Sequence, residues 1–192
     1  MDIKADHVLD AKGLSCPMPI VKTKKKMRQL EPGQVIEVQA TDKGSRADIE
    51  AWAKSTGEQY LGTIEADDVL KHYLRKSDPQ EAKTSVKHPH VNTLQELQTK
   101  IDREEKIVIV DVREPAEYAF GHIPGAKSIP LGQLEERMDE LQKNDAIYVI
   151  CRTGNRSDFA AQKLSENGFK HVVNIVPGMT AWTGPITQKT DE

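Results

Sequence analysis

The feature that most constrains this chain is an apolar strand that ends on a cysteine and turns at once into a helix. Ile147–Ile150 are β-branched or aromatic, the composition of a buried strand. Cys151, Arg152, Thr153, Gly154, Asn155, Arg156 and Ser157 follow directly, and Phe159, Ala160 and Leu164 then repeat at helical spacing. A thiol is thereby placed on a tight strand-to-helix turn. Successive backbone N–H groups of such a turn converge on an anion, and the helix N-terminus adds positive partial charge. With the guanidiniums of Arg152 and Arg156, these terms favour the thiolate, the reactive form of cysteine. A buried structural thiol is the plainer alternative, but Arg, Gly, Asn and Arg are poor company for one.

The remainder of the chain sets the context. Its 192 residues have room for two domains of about a hundred residues each. A 30% charged, 37% hydrophobic composition with net charge -3 is that of an ordinary soluble protein and gives no case for nucleic acid. No run approaches the ~20 apolar residues of a membrane helix, and the first residues do not resemble a signal peptide. Two cysteines far apart do not make a secreted disulfide framework. The expectation is a cytoplasmic protein, off the membrane, with both thiols reduced. Residues 1–77 carry 13 basic against 12 acidic residues, and the rest carry 14 against 18.

From Arg75 to His90 the chain is polar, contains two prolines and has little periodicity. Residues 77–89 are therefore read as a linker between a first domain, 1–76, and a second, 90–192. His88 and His90 flank a proline but lack the Cys or carboxylate spacing of a metal site. In the second part, Thr93 is placed to cap a helix carrying Leu94, Leu97 and Ile101 inward. Residues 106–110 form a buried strand, 114–118 open a short helix, and 121–126 make a turn. A brief strand at 128–130, a helix over 134–141, the strand before Cys151, a helix ending at Gly168 and a strand at 172–176 complete it. Strands alternating with helices predict an α/β domain with a parallel sheet and helices on both faces. Asp111, Arg113, Glu117 and His122 are read chiefly as pairing with one another to hold the fold, and Phe159 and Trp182 as core.

Cys151 and Arg156 are separated by four residues. With Asp111-Val-Arg113, Glu114-x-x-Glu117-Tyr118, Gly121-His-Ile-Pro-Gly-Ala126 and Gly178-Met-x-x-Trp182, residues 90–188 resemble the rhodanese-type sulfurtransferases. The resemblance implies a loop that cradles a persulfide sulfur. Related phosphatases and arsenate reductases have a loop one residue longer, which holds a tetrahedral oxyanion.

The first part reads β-α-β-α-β-β, a two-layer α/β sandwich: a strand at Val8-Leu9, a helix over about 17–30, a strand at 35–40, a helix from Ser45 as cap to Ser55, closed by Gly57, and strands at 60–66 and 69–74. For the last, a helix is the alternative. Pro17 opens the first helix and puts Cys16 at or near its N-cap, where the macrodipole lowers a thiol's pKa. Pro17 and Pro19 lack N–H donors, which leaves the sulfur few local partners. Ile20, Met27 and Leu30 share a core face, and Lys22, Lys24, Lys25, Lys26 and Arg28 leave much of the rest basic. Leu9-Asp10, Gly13-Leu14 and Cys16-Pro-Met-Pro19 together resemble the TusA-like (SirA-like) sulfur carriers over residues 5–76. The resemblance implies that Cys16 carries sulfur as a persulfide.

The expected function is an intracellular sulfurtransferase without metal or organic cofactor. Cys151 takes sulfur from thiosulfate or a persulfide donor and passes it to Cys16 or another thiol. Arg152 and Arg156 serve charge and donor binding, and Thr153, Gly154, Asn155 and Ser157 complete the substrate loop. Lys22, Lys25 and Lys26 are a solvated face or a docking surface for an acidic protein acceptor. The alternatives are a non-turnover carrier, an oxyanion enzyme of the phosphatase kind, and a Cys16–Cys151 disulfide switch.

Overall fold

Val35, Ile36, Val38 and Ala40 are almost fully buried, which marks strand β2 (Val35–Ala40) as a central strand rather than an edge. In the computed structural model, which describes residues 3–82 and 86–189, β2 is flanked by β1 (His7–Asp10) in parallel and β4 (Val69–Arg75) antiparallel. Strand β3 (Gln59–Ala66) lies outside β4, so the four-stranded order is β1-β2-β4-β3. The period-2 pattern places Ile36, Val38 and Leu74 on one face, where they meet Met27 of α1 (Met18–Met27) and Ile49 and Ala53 of α2 (Ser45–Thr56). Two helices on one face of a sheet are the predicted two-layer sandwich. On the other face, opposite Tyr73 in register, the buried Glu37 accepts a 2.7 Å hydrogen bond from the Tyr73 hydroxyl.

The second unit spans Gln80–Lys189. Its strands are β5 (Val91–Thr93), β6 (Val108–Asp111), β7 (Lys127–Ser128), β8 (Ala146–Ile150) and β9 (His171–Val176), all parallel in the order β5-β9-β8-β6-β7. Alternation along β8 divides the core. Ile147 and Val149 face Leu134 of α5 (Leu134–Arg137) and Ala160, Ala161 and Leu164 of α6 (Asn155–Glu166). Tyr148 and Ile150 face Leu97 of α3 (Leu94–Asp102) and Tyr118 of α4 (Pro115–Phe120). Helices therefore cover both faces, which is why the central strand β8 is apolar throughout. Thr93 caps α3 as expected, in a capping box with Glu96.

Several expectations are corrected. Helix α1 starts at Met18 with Pro17 as its N-cap, so Cys16 precedes the cap and Pro19 takes the early-helix proline position. The helix ends at Met27, and Leu30 is buried beyond it. Gly44 is the N-cap of α2, and Ser45 is its first residue. The helix expected over 134–141 is α-helical only to Arg137 and tightens into a 3-10 turn at Met138–Glu140. Phe159 is 60% exposed: the inward stripe of α6 runs through Ser157, Ala160, Ala161 and Leu164, and Phe159 projects from another side. Trp182 is partly buried against the α3 side of the core.

The stretch read as a linker is only partly one. Ser77 N–H bonds to Glu58 of the first unit at 2.7 Å. Lys87 and His88 donate backbone N–H groups to the Asp158 carboxylate, and the buried His88 ring bonds to the Val172 carbonyl at 2.8 Å. His88 is thus engaged structurally. Residues 83–85, the middle of that stretch, lie outside the described residues. Among the described residues, no three His, Cys, Asp or Glu side chains are grouped to hold a metal ion, and no helix is long and apolar enough to cross a membrane.

Candidate active site

Cys151 follows the C-terminal end of β8 and is fully buried. Parallel sheets collect ligand sites at this end, because the loops leading into the helices gather there. Gly154, at φ 95°, is the N-cap of α6 and turns the loop inward; a side chain there would meet Val176 Cγ1 at 2.9 Å. In this conformation Gly154 N–H donates to Cys151 Sγ at 3.1 Å and the Ser157 hydroxyl donates at 3.3 Å. Two donors aimed at one sulfur at a helix N-terminus stabilise negative charge on it. The loop is braced from behind: Met179 N–H bonds to the Cys151 carbonyl at 2.8 Å, and Thr180 holds the Arg152 carbonyl with its N–H and hydroxyl.

The loop side chains diverge from the simplest expectation. Arg156 is turned away from open solvent into a pair of carboxylates. It forms a two-pronged bond to Glu117 at 2.8 and 3.1 Å, and its Nε sits 2.9 Å from Glu81 as an ion pair without hydrogen-bond alignment. Burial opposes the guanidinium charge, but Glu117 and then Glu81 outweigh it, and its pKa lies above the ordinary value. Arg152 is 37% exposed, with Nη1 3.8 Å from Glu81. The Thr153 hydroxyl and the Asn155 amide instead donate to the backbone carbonyl of Glu81, at 3.4 and 2.6 Å.

The expected mutual pairing holds for Asp111 and Arg113, joined at 2.6 Å in a buried ion pair, with Arg113 also bonded to the Gly121 carbonyl. Glu117 instead serves Arg156, and His122 stacks on Tyr118 at 3.7 Å and bonds to its carbonyl. Sequence reasoning missed Glu81. It lies in the polar segment assigned to the linker, and no local periodicity separates it from its neighbours.

Cys16, in the first unit, is exposed and free, as Cys151 is free in the second. Its N–H bonds to Asp42 Oδ2 at 3.0 Å, and its thiol donates to Asp48 Oδ2 at 2.6 Å. The expected macrodipole effect is overturned. The hydrogen bond to the Asp48 carboxylate, above all, pushes the Cys16 pKa above its ordinary value. The partner of the sulfur is not local to Pro17 and Pro19: Asp48 lies 32 residues along the chain. Pro17 is exposed and Pro19 buried, and the Cys16–Pro17 peptide is cis. Lys22 and Lys25 are exposed and Lys26 is half-buried, so the basic face of α1 is largely open to solvent.

Comparison with known proteins matches residues 7–76 to the family described as Sulfurtransferase TusA and residues 93–185 to the Rhodanese-like domain. The chain is 53% identical to the Bacillus subtilis (strain 168) protein named "Putative sulfur carrier protein YrkF", over 95% of this chain and 98% of that one. It is 33% identical to the Pseudoalteromonas translucida (strain TAC 125) protein named "Thiosulfate sulfurtransferase GlpE", over 53% of this chain and 95% of that one. The crystal structure of a Rhodanese-like Domain Protein from Staphylococcus aureus is 35% identical and superposes with TM-score 0.50, covering 52% of this chain and 98% of its own. The near full-length match carries both modules together, and the chain belongs to the family of sulfur-carrier proteins in which a TusA domain and a rhodanese-like domain share one polypeptide.

Proposed function

We propose that the chain is a sulfur relay in which Cys151 is loaded first and Cys16 receives. The Cys151 thiolate attacks the outer sulfur of a donor such as thiosulfate or a persulfide; a new S–S bond forms and the donor's S–S bond breaks, the electron pair leaving with sulfite or thiolate. The resulting Cys151 persulfide takes the place of the sulfur that Gly154 N–H and the Ser157 hydroxyl now address. Those two hydrogen bonds, at 3.1 and 3.3 Å, are the observation that carries the reading. Transfer to Cys16 repeats the exchange: a Cys16 thiolate attacks the outer sulfur and Cys151 leaves as thiolate. The proton held between Cys16 and Asp48 must depart first, so Asp48 is its natural acceptor. Two modules on one chain raise the local concentration of one thiol near the other. The relay works in a reducing compartment, with an external or protein thiol as the onward acceptor and the basic face of α1 as the surface that meets it.

Intact mass after brief exposure to thiosulfate tests this. Wild type is expected to gain sulfur, Cys151→Ser to gain none, and sulfur to map to Cys16 only while Cys151 is present. Loading of Cys16 in Cys151→Ser would overturn the order of transfer. Loaded protein that shows no thiocyanate turnover with cyanide would favour a carrier that only shuttles sulfur.

A further inference from the structure

Glu81 is 7% exposed and stands against the cysteine loop of its own unit, on a one-turn 3-10 helix at Pro79–Ala82. Three observations bear on it. Its backbone carbonyl is gripped by Asn155 at 2.6 Å and approached by Thr153 at 3.4 Å, so the loop itself fixes where this residue sits. Its carboxylate lies 2.9 Å from Arg156 and 3.8 Å from Arg152, the two cations that an anionic sulfur donor would meet. Arg156 is already neutralised by Glu117 at 2.8 Å. Among the described residues, two carboxylates thus stand against the two guanidiniums of the loop and offset their positive charge.

We propose that Glu81 sets donor specificity: its carboxylate cancels the positive charge of the cysteine loop and so discriminates against small dianionic sulfur donors. The inference rests on the reading of Cys151 as the sulfur-accepting thiol. In a buried site charge interactions are strong, and a dianion such as thiosulfate feels the charge of the carboxylate about twice as strongly as a monoanion. Removing the charge but not the shape, as in Glu81→Gln, leaves Asn155 and Thr153 their backbone acceptor and takes one negative charge away from the loop.

The test has two readouts on the full chain. The first is thiocyanate formation from cyanide with thiosulfate or benzenethiosulfonate as donor. Glu81→Gln is expected to lower KM for thiosulfate by about tenfold and for the monoanionic thiosulfonate by about threefold, with kcat within about twofold. Glu81→Asp, which keeps the charge, is expected to stay near wild type for both. Equal changes for the two donors, or no fall in the thiosulfate KM, would overturn the proposal.

The second readout needs no sulfur transfer. In a Cys16→Ser background, Cys151 is alkylated with anionic iodoacetate or neutral iodoacetamide. Glu81→Gln should raise the iodoacetate-to-iodoacetamide rate ratio by about threefold, and raised salt should erase the gain. An unchanged ratio sinks the charge argument whatever turnover does. A raised ratio without turnover of either donor supports it while removing the sulfurtransferase reading on which its biological meaning depends.

Discussion

At the scale of single residues, the two thiols are held in opposite electrostatic settings. Cys151 receives hydrogen bonds from Gly154 and Ser157, whereas Cys16 donates one to Asp48. An anion that accepts from the Cys16 sulfur favours its thiol form. Asp48→Asn should therefore bring the Cys16 pKa back toward its ordinary value. In a Cys151→Ser background at pH 8, iodoacetamide alkylation of Cys16 is expected to be faster with Asp48→Asn, because more of the thiol is then ionised. Equal rates across the pH range would mean that the 2.6 Å contact does not control this proton.

At the scale of elements, the cysteine loop is shaped from outside itself. Gly178, at φ 92°, lets the segment after β9 run so close that a side chain there would stand 2.5 Å from the Cys151 carbonyl and 2.7 Å from that of Arg152. Both obstacles are backbone and have no rotamer to yield. Gly178→Ala is expected to cost about 3 kcal/mol or more, from strain at positive φ and from overpacking. It should also slow Cys151 loading, because the same segment supplies the N–H groups of Met179 and Thr180 that hold the loop carbonyls. Chemical denaturation and single-turnover loading measure the two effects separately. The short 3-10 turn carrying Glu81 acts likewise from outside the strand–loop–helix unit, on Asn155 and Arg156.

At the scale of the whole molecule, each unit has its own core: Met27, Ile36, Ile49 and Leu74 in the first, and the clusters on the two faces of β8 in the second. Acid should destabilise the first. His72 is fully buried between Ser45, 3.0 Å from Nε2, and Thr63, 2.7 Å from Nδ1. The Ser45 hydroxyl is committed to the Asp42 carbonyl, so Nε2 carries the proton and the ring is neutral. Burial, assisted by the charge of Arg46, lowers its pKa from 6.5 to about 4. Between those values the unfolded state binds a proton that the folded state does not. Stability is therefore fully present above pH 6.5 and falls on acidification toward pH 4, by at most ~1.4 kcal/mol per unit and ~3 kcal/mol in all. With Trp182→Phe, Trp52 is the one remaining tryptophan and reports the first unit. Its denaturation midpoint should drop over this range, and a flat midpoint would contradict the assignment.

What the sequence determined by itself is whatever depends on near neighbours and periodicity. The apolar run Ile147–Ile150, the cap at Thr93, the order of elements in both units and the placing of Cys151 between strand and helix all follow from local rules. Local rules also put Cys16 beside a helix start, though one residue further out than expected. They were silent on partners distant in the chain. Asp48 lies 32 residues from Cys16, and Glu81 lies 75 residues before Arg156 in a segment with no pattern of its own. Periodicity reports which face of an element is buried, but not which charge another segment lays against it. Only the tertiary structure decided that the helix-start thiol donates its proton to a carboxylate in a hydrogen bond and that carboxylates are laid against the basic loop. Electrostatic interactions act through space, and the chain's folding, not its order, sets those distances.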